Sequence, residues 1–288
     1  MVKVFGEDEC VRIRHVNKPL LVLASNSPRR RELLRLGGWR FHSRPADVDE
    51  SQRPGEAPGA YVLRLAESKA RACAQAAQAE QIILAADTAV VDGNAIPGTA
   101  FTKSEMRGTQ PLTPALPRIK SGAGRAGKKE DFGVQVPQTP LDESPAILGK
   151  PKDMAGAVEM LKALRGRSHQ VYTGIAVLRL TDGSLVTDLC ITDVPMRDYR
   201  DDEIEAYVAS GDPLDKAGAY AIQHAGFHPV EGMQGCYASV MGLPLCHLSR
   251  SLQKIDIAPH IDIAAACQSA LGYACPISSA VLRGEMVG

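Results

Sequence analysis

Leu20 to Ala24 is an unbroken apolar run, and Ser25-Asn26-Ser27-Pro28 follows it directly, ahead of an amphipathic stretch. A continuous apolar run of this length suits a strand covered on both faces. Ser27 fits a helix N-cap and Pro28 the first helical position, with Glu32, Leu33, Leu34 and Leu36 continuing the helix and Gly37-Gly38 ending it. A strand that is buried twice and passes at once into a helix confines the chain to layered α/β architectures.

The same signature recurs downstream. Trp39–Pro45 reads as a second strand leading to the acidic turn Ala-Asp-Val-Asp-Glu-Ser. Ala60–Glu80 reads as a helix with Val62, Leu65, Ala66, Lys69, Ala70 and Cys73 on one stripe. Ile82–Ala86 reads as another buried strand, with Asp87 at its carboxyl end. Asp153–Leu164 has helical spacing, and the runs on either side of Thr181-Asp182-Gly183-Ser184 form a hairpin pattern. Asp201–Ser210 is a short helix closed by Gly211. Alternating strands and helices with one hairpin predict an α/β fold built on a mixed twisted sheet with flanking helices. Pro97–Ala146 is rich in Gly, Pro, Ser, Thr, Lys and Arg without periodicity, and reads as an inserted, largely disordered loop. The tail Ile255–Gly288 carries one helical stretch, Ile261–Leu271.

Charge and cysteine usage exclude several function classes. The 288 residues hold 33 basic and 33 acidic side chains, so a general electrostatic grip on polymeric nucleic acid is not expected. No run approaches a membrane span, and the acidic N-terminus Met1–Cys10 lacks the apolar core of a signal peptide. Seven scattered cysteines without a CxxC pair fit reduced thiols in a cytoplasmic protein. The histidines, His15 included, show no metal-ligand spacing. Gly122–Lys129 nearly matches a P-loop, but Lys129 stands where Ser or Thr would bind the metal and no strand precedes it.

The opening juncture has chemistry beyond a capped helix. A helix N-terminus directs N–H groups and partial positive charge at one spot. Ser25 and Ser27 add hydroxyls, while Arg29 and Arg30 add guanidinium forks that match phosphate oxygens. A capped helix with solvated arginines accounts for the same pattern equally well. Asp87, beyond an apolar run and before Thr88, can hold Mg²⁺ or accept a proton from water, or simply cap a turn. Glu50 in the acidic turn is a second such carboxylate, or part of an acidic surface. Lys69 lies on the apolar stripe of its helix, so it either snorkels to water or reaches an anion site. Lys150, in Leu-Gly-Lys-Pro, shares that ambiguity.

Together these pieces resemble the Maf family of septum-formation proteins, nucleoside triphosphate pyrophosphatases. The resemblance rests on LASNSPRRRELL, DVDES, LAESKA, LAADTAVV, ILGKP, VYTGIAV and YVASGDPLDKAGAYAIQHAGF, in that order. It covers residues 18–252, interrupted by 97–146, and leaves 253–288 as a C-terminal extension. It implies two lobes around a central cleft, as in inosine triphosphate pyrophosphatases. It implies hydrolysis of dTTP, UTP and modified pyrimidine nucleotides to monophosphate and pyrophosphate with Mg²⁺ or Mn²⁺. Asp87 matches the family's proton acceptor. Ser25, Arg29, Arg30, Glu50, Lys69 and Lys150 match its phosphate and metal cleft, with Glu50 and Asp87 on the metal. Arg29, Thr88 and Gln223 match positions that separate its substrate subfamilies, and Ser27 joins the phosphate wall. His224 stands where many relatives have Gly. A homodimer is compatible with the resemblance. Two other readings stay open: a nucleotide-binding cell-division regulator with weak catalysis, and an inosine/xanthosine triphosphate pyrophosphatase.

Overall fold

A computed structural model of the chain describes residues 20–92 and 146–288. The inserted segment therefore falls outside the described residues, save for Ala146. So do Cys10, His15 and the Gly122–Lys129 stretch. The elements run β1 (Leu21–Leu23), α1 (Pro28–Leu36), β2 (Phe41–Ser43), α2 (Pro58–Ala74), β3 (Ile82–Asp92), β4 (Ala146–Leu148), α3 (Met154–Leu164), β5 (Ser168–Arg179), β6 (Leu185–Pro195) and α4 (Asp201–Ala209). Short 3₁₀ turns follow at Asp212–Asp215 and Ala217–Ala219, then α5 (Tyr237–Val240), α6 (Leu245–Gln253), α7 (Ile263–Leu271) and α8 (Ser278–Leu282).

The sheet is mixed, in the order β2-β1-β3-β5-β6 with β4 paired to β3. β1 lies parallel to β2 and β3, while β3–β5 and β5–β6 are antiparallel. Each face is covered. Ile83, Ala85 and Val22 pack on Ala66, Ala70 and Cys73 of α2. Ile82, Leu84 and Val90 join the main core with Leu33 and Leu34 of α1, Leu161 of α3 and Leu245 and Leu248 of α6. Alternation along β3 therefore turns Asp87 toward α2 and Thr88 toward the opposite layer.

Three expectations are corrected. The strand expected to end at Ala86 continues to Asp92, so Asp87 lies inside it. A charged residue reads as a strand end because burying it is costly, but here Lys69 offsets that cost. The second correction shortens the helix expected to reach Glu80, which stops at Ala74. Ala146 is the third: assigned to the insertion from sequence, it is the first residue of β4, opposite Asp92. The chain thus leaves and re-enters the sheet at paired residues, Asp92 and Ala146.

The edge of β3 facing β1 positions the site. β1 pairs with Ile82–Leu84 and β4 with Val90–Asp92. Between them β3 has no strand neighbour on that edge among the described residues, and Asp87 sits in the middle of the gap.

Candidate active site

Around this gap lies a cleft of about 550 Å³. Its lining includes Ser25, Ser27, Arg29 and Arg30 from the β1–α1 juncture, and Asp87 and Thr88 from β3. Glu50, Lys69, Lys150 and Gln223 complete the set singled out from sequence.

On the α1 side the local rules of the sequence produce a rigid wall. Ser27 is the N-cap, its Oγ accepting from the Arg30 N–H at 3.4 Å, and Pro28 opens the helix. Ser25 Oγ accepts from the Ser27 N–H at 3.1 Å. Arg30 then reaches across the cleft. Its Nε donates to Gly242 O at 2.9 Å, Nη2 to Thr88 Oγ1 at 3.2 Å and Nη1 to Ser25 Oγ at 3.4 Å. Burial lowers the guanidinium's pKa and Asp87 opposes that shift, yet an arginine stays protonated. Gly242, at φ +105°, is required here: a Cβ would stand 3.3 Å from both Arg30 Nε and Thr88 Oγ1.

The α2 side is built differently. Lys69 Nζ lies 2.6 Å from Asp87 Oδ1 and 2.6 Å from Glu50 Oε1. Asp87 is 10% exposed and Glu50 60%, so one carboxylate is deep and the other open to solvent. Burial pushes the Asp87 carboxyl above the usual carboxylate range. Lys69 and then Arg30 pull it back, and Glu50 adds to the rise. Gly174 pairs with Asp87 across the sheet. A Cβ there would stand 2.7 Å from Val62 O, so its absence lets the α2 backbone close on β5 beside the site. The Glu50 loop is pinned to α2 by Tyr61 Oη donating to Glu50 O at 2.9 Å and Arg64 Nη2 to Ser51 O at 3.0 Å. Asp49 turns back on Ser51 instead of into the cleft.

The far wall carries Gln223 and Lys150, both exposed at the rim. Ala221 N–H donates to Tyr207 Oη at 3.0 Å, and Tyr207 donates to Asp212 at 2.8 Å, which fixes the chain just ahead of Gln223. His224 turns its ring against Tyr207 and accepts from the Phe227 N–H, and does not line the cleft. Tyr220 lines it and shares a 2.8 Å hydrogen bond with His169 Nε2. Burial holds that imidazole down at about 4, so it is neutral at pH 7.

Several residues were not singled out from sequence. Lys216, on the lining, spends all three donors on Asp212 O, Asp212 Oδ1 and Asp215 Oδ1. Thr173 Oγ1 donates to Ser239 O at 2.9 Å and lies 3.1 Å from Thr88 Oγ1. Thr173, Gly174 and Lys216 all lie in stretches that carried the resemblance, but nothing in the local pattern marks them as more than strand and turn residues.

Among the described residues no group of three or more His, Cys, Asp or Glu side chains could hold a metal ion. The two carboxylates already gathered on Lys69 are a different case: Mg²⁺ takes one or two carboxylates and completes its shell with water and substrate phosphates. The donor set fits a divalent cation that arrives with a phosphorylated ligand.

The chain is similar to known proteins over most of its length. The family profile described as Maf-like protein matches residues 20–109 and 135–255. The dTTP/UTP pyrophosphatase of Geobacter sp. (strain M21) is 38% identical over 236 residues, 82% of this chain and 95% of that protein. The dTTP/UTP pyrophosphatase of Anaeromyxobacter dehalogenans (strain 2CP-C) is 37% identical over 238 residues, 82% and 94% of the two chains. That of Geobacter sulfurreducens is 37% identical over 240 residues, 83% and 98%.

Proposed function

The chain belongs to the Maf-like protein family, and we propose that it is a nucleoside triphosphate pyrophosphatase acting on dTTP, UTP and modified pyrimidine nucleotides. The products are the nucleoside monophosphate and pyrophosphate. The observation that carries this reading is the meeting of a raised, buried carboxyl and a pre-set guanidinium in one cleft, at the gap in the β3 edge. The names of the relatives support the substrate class.

Asp87 accepts a proton from the water that attacks the α-phosphorus, and its raised pKa brings it closer to neutral pH as a base. The bond between the α-phosphorus and the bridging oxygen breaks, and pyrophosphate leaves with its charge. Arg30, held in advance by neutral oxygens, meets that charge without reorganising, and Arg29 and Lys150 add to it from the lining. Ser25 and Ser27 shape the wall against which the phosphates rest. Gln223 offers a donor and an acceptor to the edge of a pyrimidine, and Thr88, on the same cleft lining, acts on selectivity. Asp87 and Glu50 would hold Mg²⁺ or Mn²⁺, which when bound neutralises phosphate charge and acidifies water. Lys69 keeps the two carboxylates together until then. The free thiols support a reducing, cytoplasmic setting, and among the described residues no helix is long and apolar enough to cross a membrane.

The test is a panel of dTTP, UTP, CTP and ITP given to the full chain with Mg²⁺ or Mn²⁺, with monophosphate and pyrophosphate measured directly. dTTP and UTP are expected to exceed ITP by about tenfold or more in kcat/KM. Release of orthophosphate in place of pyrophosphate, or no turnover of any nucleotide, sinks the reading.

A further inference from the structure

Tyr207 of α4 is buried behind the far wall of the cleft and is not on its lining. Its hydroxyl donates to Asp212 Oδ2 at 2.8 Å and accepts from the Ala221 N–H at 3.0 Å. Asp212 Oδ1 accepts from Lys216 Nζ at 2.9 Å. The same ammonium reaches Asp212 O and Asp215 Oδ1, each at 2.6 Å. Against burial, Lys216 and Tyr207 pull the Asp212 carboxyl below its usual range, so it stays an acceptor. The direction of each bond is therefore fixed, and a satisfied network of this kind is rigid.

The network ends on the turn that carries Gln223. Ala221 O accepts from the His224 N–H at 3.1 Å, which makes Ile222 and Gln223 the central residues of a four-residue turn. Both backbone polar groups of Ala221 are thus in use, the N–H on Tyr207 and the carbonyl within the turn. His224 closes the next turn: its Nδ1 accepts from the Phe227 N–H at 3.0 Å and its carbonyl from the His228 N–H at 3.1 Å. The Tyr207 ring seats this second turn, with its centroid 4.6 Å from that of His224, edge-on, and 4.4 Å from that of Phe227, stacked. Lys150 is tied to the same loop, because the Gly218 N–H donates to Gly149 O at 3.1 Å. Gly218 sits at φ +70°, and a Cβ there would stand 3.0 Å from Val90 Cγ1, so glycine lets the loop close on β3.

We infer that Tyr207 is a positioning residue for substrate selection, fixing through Ala221 where Gln223 meets the base; the inference rests on the pyrimidine reading of the cleft. The hydroxyl acts from behind the wall and does not touch the nucleotide. Without it the buried Ala221 N–H loses its acceptor, and the Asp212–Lys216 pair loses its link to the turn. The turn loosens, while Asp87 and Lys69 on the α2 side keep their contact. Selection and binding suffer, and the chemical step does not.

Steady-state kinetics of the full chain with UTP and ITP decide the matter. Tyr207→Phe keeps the ring stacking and removes only the hydroxyl. Its KM for UTP is expected to rise about fivefold with kcat within about twofold, and the preference for UTP over ITP in kcat/KM to fall about fivefold. Tyr199→Phe is the control. It also removes a buried hydroxyl, one that donates to Leu161 O at 2.7 Å, and its ring lies 4.8 Å from Phe227 in the same aromatic cluster. It is expected to lower Tm and leave the preference unchanged. A double-mutant cycle then tests the route through Gln223. Gln223→Ala should lower kcat/KM for UTP about tenfold in the wild type and no more than about threefold on top of Tyr207→Phe. Equal losses in the two backgrounds, or a Tyr199→Phe protein that loses the preference as well, overturn the inference and leave the substrate assignment standing. A wild-type chain with no preference for UTP over ITP fails differently, since it removes the pyrimidine assignment and this inference with it.

Discussion

Arg30 and Lys69 enter the same cleft from opposite faces of the sheet, and they are held in opposite ways. Arg30 gives its N–H groups to neutral oxygens of Gly242, Thr88 and Ser25. Lys69 is clasped by the carboxylates of Asp87 and Glu50. A guanidinium fixed by neutral acceptors keeps its charge for an incoming anion, and its geometry is set in advance. An ammonium between two acids offers little net charge to a phosphate and instead draws the acids together. One half of the cleft is thus prepared for phosphate and the other for a cation. Lys216, satisfied by Asp212 and Asp215, belongs with Lys69 in this respect, as a cation spent on shaping the wall.

The largest effects should come from emptying each half of its central residue. Asp87→Asn removes the base and one of the two cation-holding carboxylates. Turnover is expected to fall about 10³-fold. Tm should not fall, because burial already disfavours the charged form of Asp87. Pyrophosphate release and a thermal melt check both, and a variant keeping a tenth of the activity would refute the role. On the other half, Arg30→Ala should lower kcat/KM by about 10²-fold. Arg30→Lys should recover little, since one ammonium cannot span the three acceptors that fix the fork. Full recovery by lysine would mean that only charge matters there, and the contrast with Lys69 would lose its content.

Lys69→Met sharpens the comparison through pH. Lys69 is the chief group pulling the Asp87 pKa down against burial. Without it that pKa rises further. The base works only when ionised, that is, above its pKa, so the acid limb of the kcat/KM profile should move to higher pH. The loss should be largest at the acid end of the profile and should shrink as the pH rises. A profile at constant free Mn²⁺ measures this. An acid limb that stays in place, with a uniform loss at every pH, would show that Lys69 contacts substrate rather than tuning the acid.

Half of this contrast was legible in the sequence. The Ser27 cap and Pro28 follow local rules, so the α1 wall can be read from the order of neighbouring residues. The hairpin is legible for the same reason, since it depends on a few adjacent residues. On the other half, Lys69 on an apolar stripe and Asp87 after an apolar run looked like two separate oddities. Each is the other's explanation: a buried acid inside a strand needs a cation from the layer packed on it. Pairing such oddities across elements is the signal that would have carried β3 past Asp87.

The smallest effect tests what holds Arg30 in place. A threonine hydroxyl has one proton, and Thr173 donates its proton to Ser239 O. In the 3.1 Å contact with Thr88, Thr173 must therefore accept and Thr88 must donate. The Thr88 oxygen is then left to accept from Arg30 Nη2. The direction of the chain is fixed from Arg30 through Thr88 and Thr173 to the backbone of α5. Thr173→Val keeps the shape and removes the hydroxyl. Thr88 gains a free proton, and the Ser239 carbonyl loses a partner at a cost of about 1–2 kcal/mol. KM for UTP should rise about threefold while kcat stays within about twofold, because the loosened fork weakens phosphate binding without touching the base. Thr173→Ser, which keeps the hydroxyl, should restore KM. A Thr173→Val protein with lower Tm and unchanged KM would show that the chain supports the fold alone, and that Gly242 and Ser25 suffice to fix Arg30.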